Sequence, residues 1–406
     1  MRRRSHTFGW LRCLALFAGS ALLAPLASAL ILGGSVAVQP SPPTDDPGWA
    51  NVVSPNGCSG VYLGNRWVLT AGHVGAGSVV VGSTTYPVQP GSAIRLRTPT
   101  DSGDTDLAMF RLAADPGLPS VAIISSQLAT TTAVTMIGYG CTRGSAMSYN
   151  SSWVLNGTPT AFNGYAWSAT AKNWGTNKID GTATVDDGYG ACVTYDTSFT
   201  TGAGATTNEA QGAIYDSGGG VFAKVGGSWR LAGIMVTVDS YTGQPGSTAI
   251  FGNSTYSMDL ATYRPQIEAV RALAAGYDIW HYIHFQNIKT APTADPDGDG
   301  FTNLEEYAYG LDPNVKDAAS AAPQIALAPF ADGQSLTATF THNTAASDVA
   351  LIVEVSEDLV TWTSGSGVTA TISTTDLGNA VERLVVRDLV TTATAARRFL
   401  RVRVTE

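Results

Sequence analysis

Apolar residues fall in short runs along most of the chain, and Gly, Pro, Asn and Ser separate them. Val61-Tyr62-Leu63, Trp67-Val68-Leu69, and the segments 78–81 and 231–238 are examples. Runs this short, rich in β-branched and aromatic residues and bounded by turn formers, read as strands. Their regular spacing from residue 30 to about 262 predicts a sandwich or barrel. The period then changes. Between 264 and 275, Ile267, Val270, Leu273 and Ala274 fall at helical spacing. Segment 279–285 carries Trp280, Tyr282, Ile283 and Phe285. It reads as a helix packed on the preceding domain or as the start of the next. Strands return from about residue 322. Segment 350–355 is one, and 399–404 alternates Arg with apolar residues, as a strand with one wet face should.

Composition supports a folded, mostly β chain. Of 406 residues, 44% are hydrophobic and 14% charged, enough apolar material for a core and too little charge for global disorder. The net charge of −9 lacks the basic footprint of a nucleic-acid binder. The length predicts two or three domains. Arg2, Arg3 and Arg4, the apolar segment 14–26 and Ala27-Ser28-Ala29 make a secretion signal, cleaved after Ala29. No membrane span is expected after that cleavage, and the product is secreted or held at the cell envelope. Cys13 leaves with the signal, so Cys58, Cys141 and Cys192 remain. An odd count leaves one thiol unpaired, and a Cys141–Cys192 bridge is expected in an oxidising compartment.

Segment 30–275 contains one histidine, His73, where an apolar strand enters a tight turn, Val68-Leu69-Thr70-Ala71-Gly72-His73. Further along, Asp106 precedes a buried-strand run, Leu107-Ala108-Met109-Phe110; Asp104 is its nearby rival. An acid at a strand's start can accept the imidazole N–H, fix the tautomer and stabilise the imidazolium. The third motif is Asp216-Ser217-Gly218-Gly219-Gly220. Its glycines permit a sharp turn with inward-pointing N–H groups, and Ser217 supplies a hydroxyl that needs a neighbouring base. The three motifs, in the order His, Asp, Ser, resemble those of the trypsin/chymotrypsin family of serine proteases. Segment 228–234 resembles the family's cleft-lining strand, and 256–273 its C-terminal helix.

The resemblance covers residues 30 to about 275. It implies two packed six-stranded β-barrels with the site between them, and a serine endopeptidase acting on protein or peptide substrates. His73, Asp106 and Ser217 are its catalytic residues, and the backbone N–H groups of Tyr215 and Ser217 its oxyanion hole. Tyr215 stands where the family has Gly, Gly220 replaces a Pro, and Val74 replaces a Cys that would pair with Cys58. A bulky residue at 215 is expected to resist the turn that aims its N–H inward. Gln211 falls near the floor of the substrate pocket and Val238 near its mouth, which implies neutral, small or aliphatic residues before the cut. Ile31-Leu32-Gly33-Gly34 resembles the family's mature N-terminus, whose free amine pairs with the acid before the nucleophile, here Asp216. Signal cleavage after Ala29 leaves Leu30 in front of it, so activation by signal removal, with or without trimming of Leu30, is the expectation.

The segment from Asp295 to Glu306 fits the EF-hand calcium loop. Asp295, Asp297 and Asp299 supply carboxylates, Gly300 the sharp turn, Phe301 a carbonyl, Asn303 the ninth position and Glu306 a bidentate carboxylate. The continuation to Pro313 resembles calcium-stiffened bacterial modules of the thrombospondin type 3 or dockerin kind, which implies a structural Ca2+. The expected fold class is mainly β: signal peptide 1–29, a trypsin-like double barrel with a C-terminal helix over 30–275, a linker with the calcium loop over 276–321, and a small β-sandwich over 322–406. The competing function is a catalytically weak protease-like binding or adhesion protein. An esterase is disfavoured, because Gly-x-Ser-x-Gly with the order Ser, Asp, His is missing.

Overall fold

The computed structural model describes residues 3–4, 30–100, 102–274, 276–286, 290–395 and 397–406. The expected signal segment therefore lies outside the described residues, apart from positions 3 and 4. The chain divides into two compact units, one ending at Ala272 and the other beginning at Leu273, with residues 90–92 grouped with the second. Among the described residues, no helix is long and apolar enough to cross a membrane.

The first unit holds two β-structures. In one, five antiparallel strands run in the order Val52–Val53, Gly60–Gly64, Trp67–Ala71, Asp104–Arg111, Ile94–Arg97. A separate pair, Val79–Val81 with Thr84–Tyr86, adds Val79 to the same core, where Tyr62, Val68, Phe110 and Leu112 meet. In the other, seven strands run in the order Asn173–Lys178, Ala133–Gly138, Gly220–Val225, Ser228–Val238, Ser254–Asp259, Ala191–Ser198, Gly181–Asp186. A three-stranded sheet, Cys141–Tyr149, Phe162–Thr170 and Thr248–Ile250, accompanies it. The strand count thus differs from two sixes. The mainly β class stands.

Several strands break simple alternation. Trp67–Ala71 is buried at every position, so its pattern is a continuous apolar run. Asn173–Lys178 alternates, but Asn173 and Asn177 face inward. Each satisfies backbone that would otherwise be orphaned. Asn173 donates to Leu30 O (3.2 Å), and Asn177 to Ser198 O and Ala210 O (3.0 and 2.9 Å). The closing helix is Leu260–Ala272, starting earlier than its apolar period suggests. It buries Leu260, Tyr263, Ile267 and Val270, one stripe at three- and four-residue spacing.

In the second unit, the helix Gly276–Phe285 packs Trp280 and Phe285 against Tyr307. A short helix, Asn303–Tyr309, starts at a Thr302/Glu305 capping box and stops at Gly310, whose φ of +77° suits glycine. Two sheets follow. One orders Gln324–Phe330, Gly333–Asn343, Val381–Asp388, Thr369–Gly378; the other orders Thr363–Ser364, Ala350–Ser356, Phe399–Thr405. Ala338, Phe340 and Val386 of the first share a core with Val353, Val355 and Leu400 of the second. Arg401 and Arg403 on the wet face clasp Glu354 at 2.8 and 3.0 Å.

The expected Cys141–Cys192 bridge does not form: neither Cys141 nor Cys192 is in a disulfide. The two candidates sit in different surroundings. Cys141 packs with Ile31, Phe199 and Ala213. Cys192 Sγ lies 3.1 Å from Gly190 O and 3.4 Å from the Asp106 amide.

Candidate active site

Strand register brings the histidine and the acid together. Ala71 pairs with Leu107, so the chain leaving one strand at Gly72-His73 passes the chain entering the other at Asp106. Asp106 is 0% exposed. Its Oδ1 accepts the His73 amide at 2.8 Å, and its Oδ2 lies 2.7 Å from His73 Nδ1. A carboxylate held at both oxygens leaves Nε2 directed away as the free base. Burial disfavours a charged imidazole. The hydrogen bond and charge of Asp106, with the charge of Asp187, outweigh it and raise His73 above its ordinary value. Asp104 is exposed and pairs with Arg97 at 3.2 Å, which removes it as the orienting acid.

No disulfide fixes the loop beside His73. Asn56 does so instead, donating from Nδ2 to Val74 O and Ala76 O, both at 3.0 Å.

Ser217 sits in a turn that glycine makes possible. Gly218 has a φ of +88°, and a Cβ there would lie 1.8 Å from Ser59 O. Ser217 O accepts the Ser59 amide, and the Gly218 and Gly219 amides are used by Met235 O and Asp216 O. The amides of Tyr215 and Ser217 have no acceptor among the described residues. Two unspent donors beside a nucleophile are what an oxyanion hole requires. The expectation that Tyr215 resists this turn is corrected: it adopts a φ of +74°. That conformation costs a non-glycine residue roughly 1–2 kcal/mol. Packing of Tyr215 on the Cys141 and Phe199 cluster offsets some of it. The Ser217 hydroxyl lies 3.4 Å from Val236 O and makes no hydrogen bond to His73. A χ1 rotation redirects such a hydroxyl, and these contacts commonly tighten only with substrate bound.

Asp216 is buried and accepts three amides: Gly140 (2.9 Å), Ala213 (2.9 Å) and Leu30 (3.3 Å). Burial pushes its carboxyl up to about 7, against the pull of those bonds. Leu30, and not Ile31, supplies the nitrogen at Asp216. Ile31–Leu32 instead pairs with Ala210–Gln211, a register that points the preceding residue at the carboxylate. Gln211 is 1% exposed, with Oε1 buried and unpartnered. A Cβ on its neighbour Gly212 would lie 3.5 Å from Val238 Cγ1, so the two expected pocket positions adjoin.

In the second unit, Asp295 receives the amides of Gly298 (2.8 Å), Asp299 (3.2 Å) and Gly300 (3.0 Å), which winds the loop around its carboxylates. Carboxylate oxygens of Asp295, Asp297 and Asp299 lie within 4.8 Å of one another, as do those of Asp299, Glu306 and Asp317. Glu306 is 0% exposed and neither carboxylate oxygen has a partner. Burial, then the charges of the surrounding aspartates, pushes it up to about 8. An orphaned carboxylate within the field of four aspartates, Asp295, Asp297, Asp299 and Asp317, fits a hard divalent cation. Asn303 donates to Thr290 Oγ1 (3.0 Å) and Ala291 O (2.8 Å) and keeps Oδ1 buried without a partner; Phe301 gives its amide to Asp299 Oδ1 (2.8 Å).

Three residues escaped sequence reasoning. Asp317 lies eleven positions beyond the loop pattern, and its amide reaches Asp299 Oδ2 at 2.7 Å. Asp187 and Tyr189 sit in Asp186-Asp187-Gly188-Tyr189-Gly190, which reads only as a turn; the Tyr189 ring lies 5.1 Å from that of His73.

A family model described as Trypsin matches residues 35–260. Among solved structures, an inactive serine-to-alanine mutant of Rv3671c from M. tuberculosis H37Rv is 15% identical with a TM-score of 0.34, covering 58% of this chain and 98% of that one. An inactive mutant of the murine norovirus NS6 protease is 12% identical with a TM-score of 0.28, covering 52% and 97%. No curated protein matches the chain.

Proposed function

This chain belongs to the trypsin family, and from that membership we propose that it is a secreted serine endopeptidase working through His73, Asp106 and Ser217. His73 Nε2 takes the Ser217 proton as Oγ attacks the scissile carbonyl. The amides of Tyr215 and Ser217 receive the oxyanion. The imidazolium returns its proton to the leaving amine, the C–N bond breaks, and an acyl-enzyme remains. Water, deprotonated by the same imidazole, releases the acid and restores Ser217. The support is the doubly bonded His73–Asp106 pair, together with a glycine turn that keeps two amides unspent and packs Gly218 on Thr70 of the strand leading to His73. Hydrolysis of casein by the secreted protein tests the reading. A folded product that leaves casein intact under all conditions indicates a binding protein on a protease scaffold.

Processing after Ala29 would place the α-amine of Leu30 at Asp216, so removal of the leader is also activation. Gln211 brings no charge to the pocket floor. Peptides with Ala or Val before the cut should be hydrolysed faster than those with Lys or Arg. A cleavage profile dominated by basic residues would remove this assignment.

Asp295, Asp297, Asp299, Glu306 and Asp317 would hold a structural Ca2+, whose charge relieves their mutual repulsion. At a hundredfold excess over Kd, calcium should stabilise the second unit by about 2.7 kcal/mol. Chelation should raise its susceptibility to nicking near residues 286–320, and Glu306→Gln should abolish the response to calcium. Limited proteolysis with and without chelator checks both, and equal nicking rates would contradict the site.

A further inference from the structure

We propose that Asp187 is a second positioning carboxylate for His73: together with Asp106 it orients the imidazole and stabilises the imidazolium formed when the ring takes the Ser217 proton. This rests on the protease reading and adds a residue that the three sequence motifs do not contain.

The observation is a juxtaposition of three groups. A ring nitrogen of His73 and carboxylate oxygens of Asp106 and Asp187 all lie within 4.8 Å of one another. Asp106 spends both oxygens on His73. Asp187 keeps Oδ1 buried with no hydrogen-bond partner. A buried, unpartnered carboxylate oxygen is costly, and such exceptions need a reason. A nearby group that becomes a cation during turnover supplies one.

The loop that presents Asp187 is fixed from several sides. It joins the paired strands Gly181–Asp186 and Ala191–Ser198. Arg95 donates from Nη2 to Thr105 O (2.9 Å) and Tyr189 O (3.1 Å), tying the loop to the strand that bears Asp106. Two glycines admit this arrangement. A Cβ at Gly72 would meet the Arg95 guanidinium at 2.4 Å, and one at Gly190 would meet Asp104 O at 1.9 Å. Tyr189 then lays its ring 5.1 Å from the imidazole, tilted by 34°.

The charged and titratable groups around the ring are Asp106, Asp187, Arg95 and Tyr189, with the Cys192 thiol behind Asp106. Asp106 and Asp187 favour the imidazolium; Arg95 opposes it. Burial, then Asp106, raises the Asp187 carboxyl, and His73 draws it down. The imidazolium and Asp187 therefore stabilise each other's charged forms.

The test follows the His73 ring by NMR in full-length, 15N-histidine-labelled protein carrying Ser217→Ala, with His73→Gln assigning the resonance. Asp187→Asn should lower the His73 titration midpoint by about one pH unit. Asp187→Glu, which keeps the charge, should leave it near the unsubstituted value. In Ser217 enzyme, Asp187→Asn should move the acid limb of kcat/KM down by the same amount while KM stays constant. An unchanged midpoint in Asp187→Asn overturns the proposal. Should that variant not fold, Asp187→Ser carries the same expectation and the same refutation. Failure of the protease reading looks different: no variant hydrolyses casein, while the NMR shift is still measured.

Discussion

Ser217→Ala should lower kcat/KM on the order of 10⁶-fold, and His73→Ala by a similar factor. The two losses should not add, because nucleophile and base act as one unit. Without the hydroxyl there is no atom to form the acyl-enzyme. Without the imidazole, Ser217 Oγ faces only Val236 O at 3.4 Å, an acceptor that cannot carry a proton away. Asp106→Asn should cost about 10⁴-fold, because an amide beside Nδ1 selects the wrong tautomer. Both oxygens of Asp106 bond to residue 73, so this variant also loosens the turn bearing the ring. Initial rates on a chromogenic peptide measure all three. Melting temperatures of Ser217→Ala and His73→Ala should stay close to the parent, since neither side chain fills a core.

Retaining the leader should also lower activity, by a smaller factor. A chain blocked at the Ala29 cleavage site should lose about 10²- to 10³-fold in kcat, the typical consequence of a missing oxyanion donor. In that chain Leu30 offers Asp216 a neutral N–H at 3.3 Å. Asp216 then titrates near 7 because burial penalises its charge, against an ordinary value of 3.8. A carboxyl raised on folding contributes stability that is present at low pH and lost as pH rises through the folded value. The unprocessed chain should therefore weaken as pH climbs from about 4 through 7. In the processed chain the α-ammonium of Leu30 should supply the opposite charge, keep Asp216 ionised, and hold the Tyr215 and Ser217 amides in place. Its stability should persist above pH 7 until the amine deprotonates. Melting curves of both forms across this range, in the Ser217→Ala background, should diverge with rising pH. Parallel curves would exclude the ion pair.

Legibility varied with the physics behind each element. The strands around Tyr62, Val68 and Leu231 were readable because buried strands are apolar runs between turn formers, and short motifs single out His73, Asp106 and Ser217 as candidates. Tyr215 shows the limit of local rules. Sequence reasoning expects a bulky residue to avoid positive φ, yet the turn around Gly218 and packing on the Phe199 cluster hold it at +74°. Leu30 in place of Ile31 depended on strand register with Ala210–Gln211, which no local pattern encodes. The Cys141–Cys192 expectation rested on compartment and parity, neither of which carries distance. Asp187 and Asp317 lie on a turn and beyond a motif, and only tertiary folding brings them to His73 and Glu306.

The central claim is that His73, Asp106 and Ser217 form a working nucleophile. Mass spectrometry of the protein after exposure to a fluorophosphonate tests it most directly. A single adduct is expected on the peptide containing Ser217, formed quickly in processed protein beginning at Leu30 and lost in His73→Ala. Processed, folded protein that takes up no adduct at Ser217, or takes it up equally well without His73, would exclude a nucleophile activated by that imidazole.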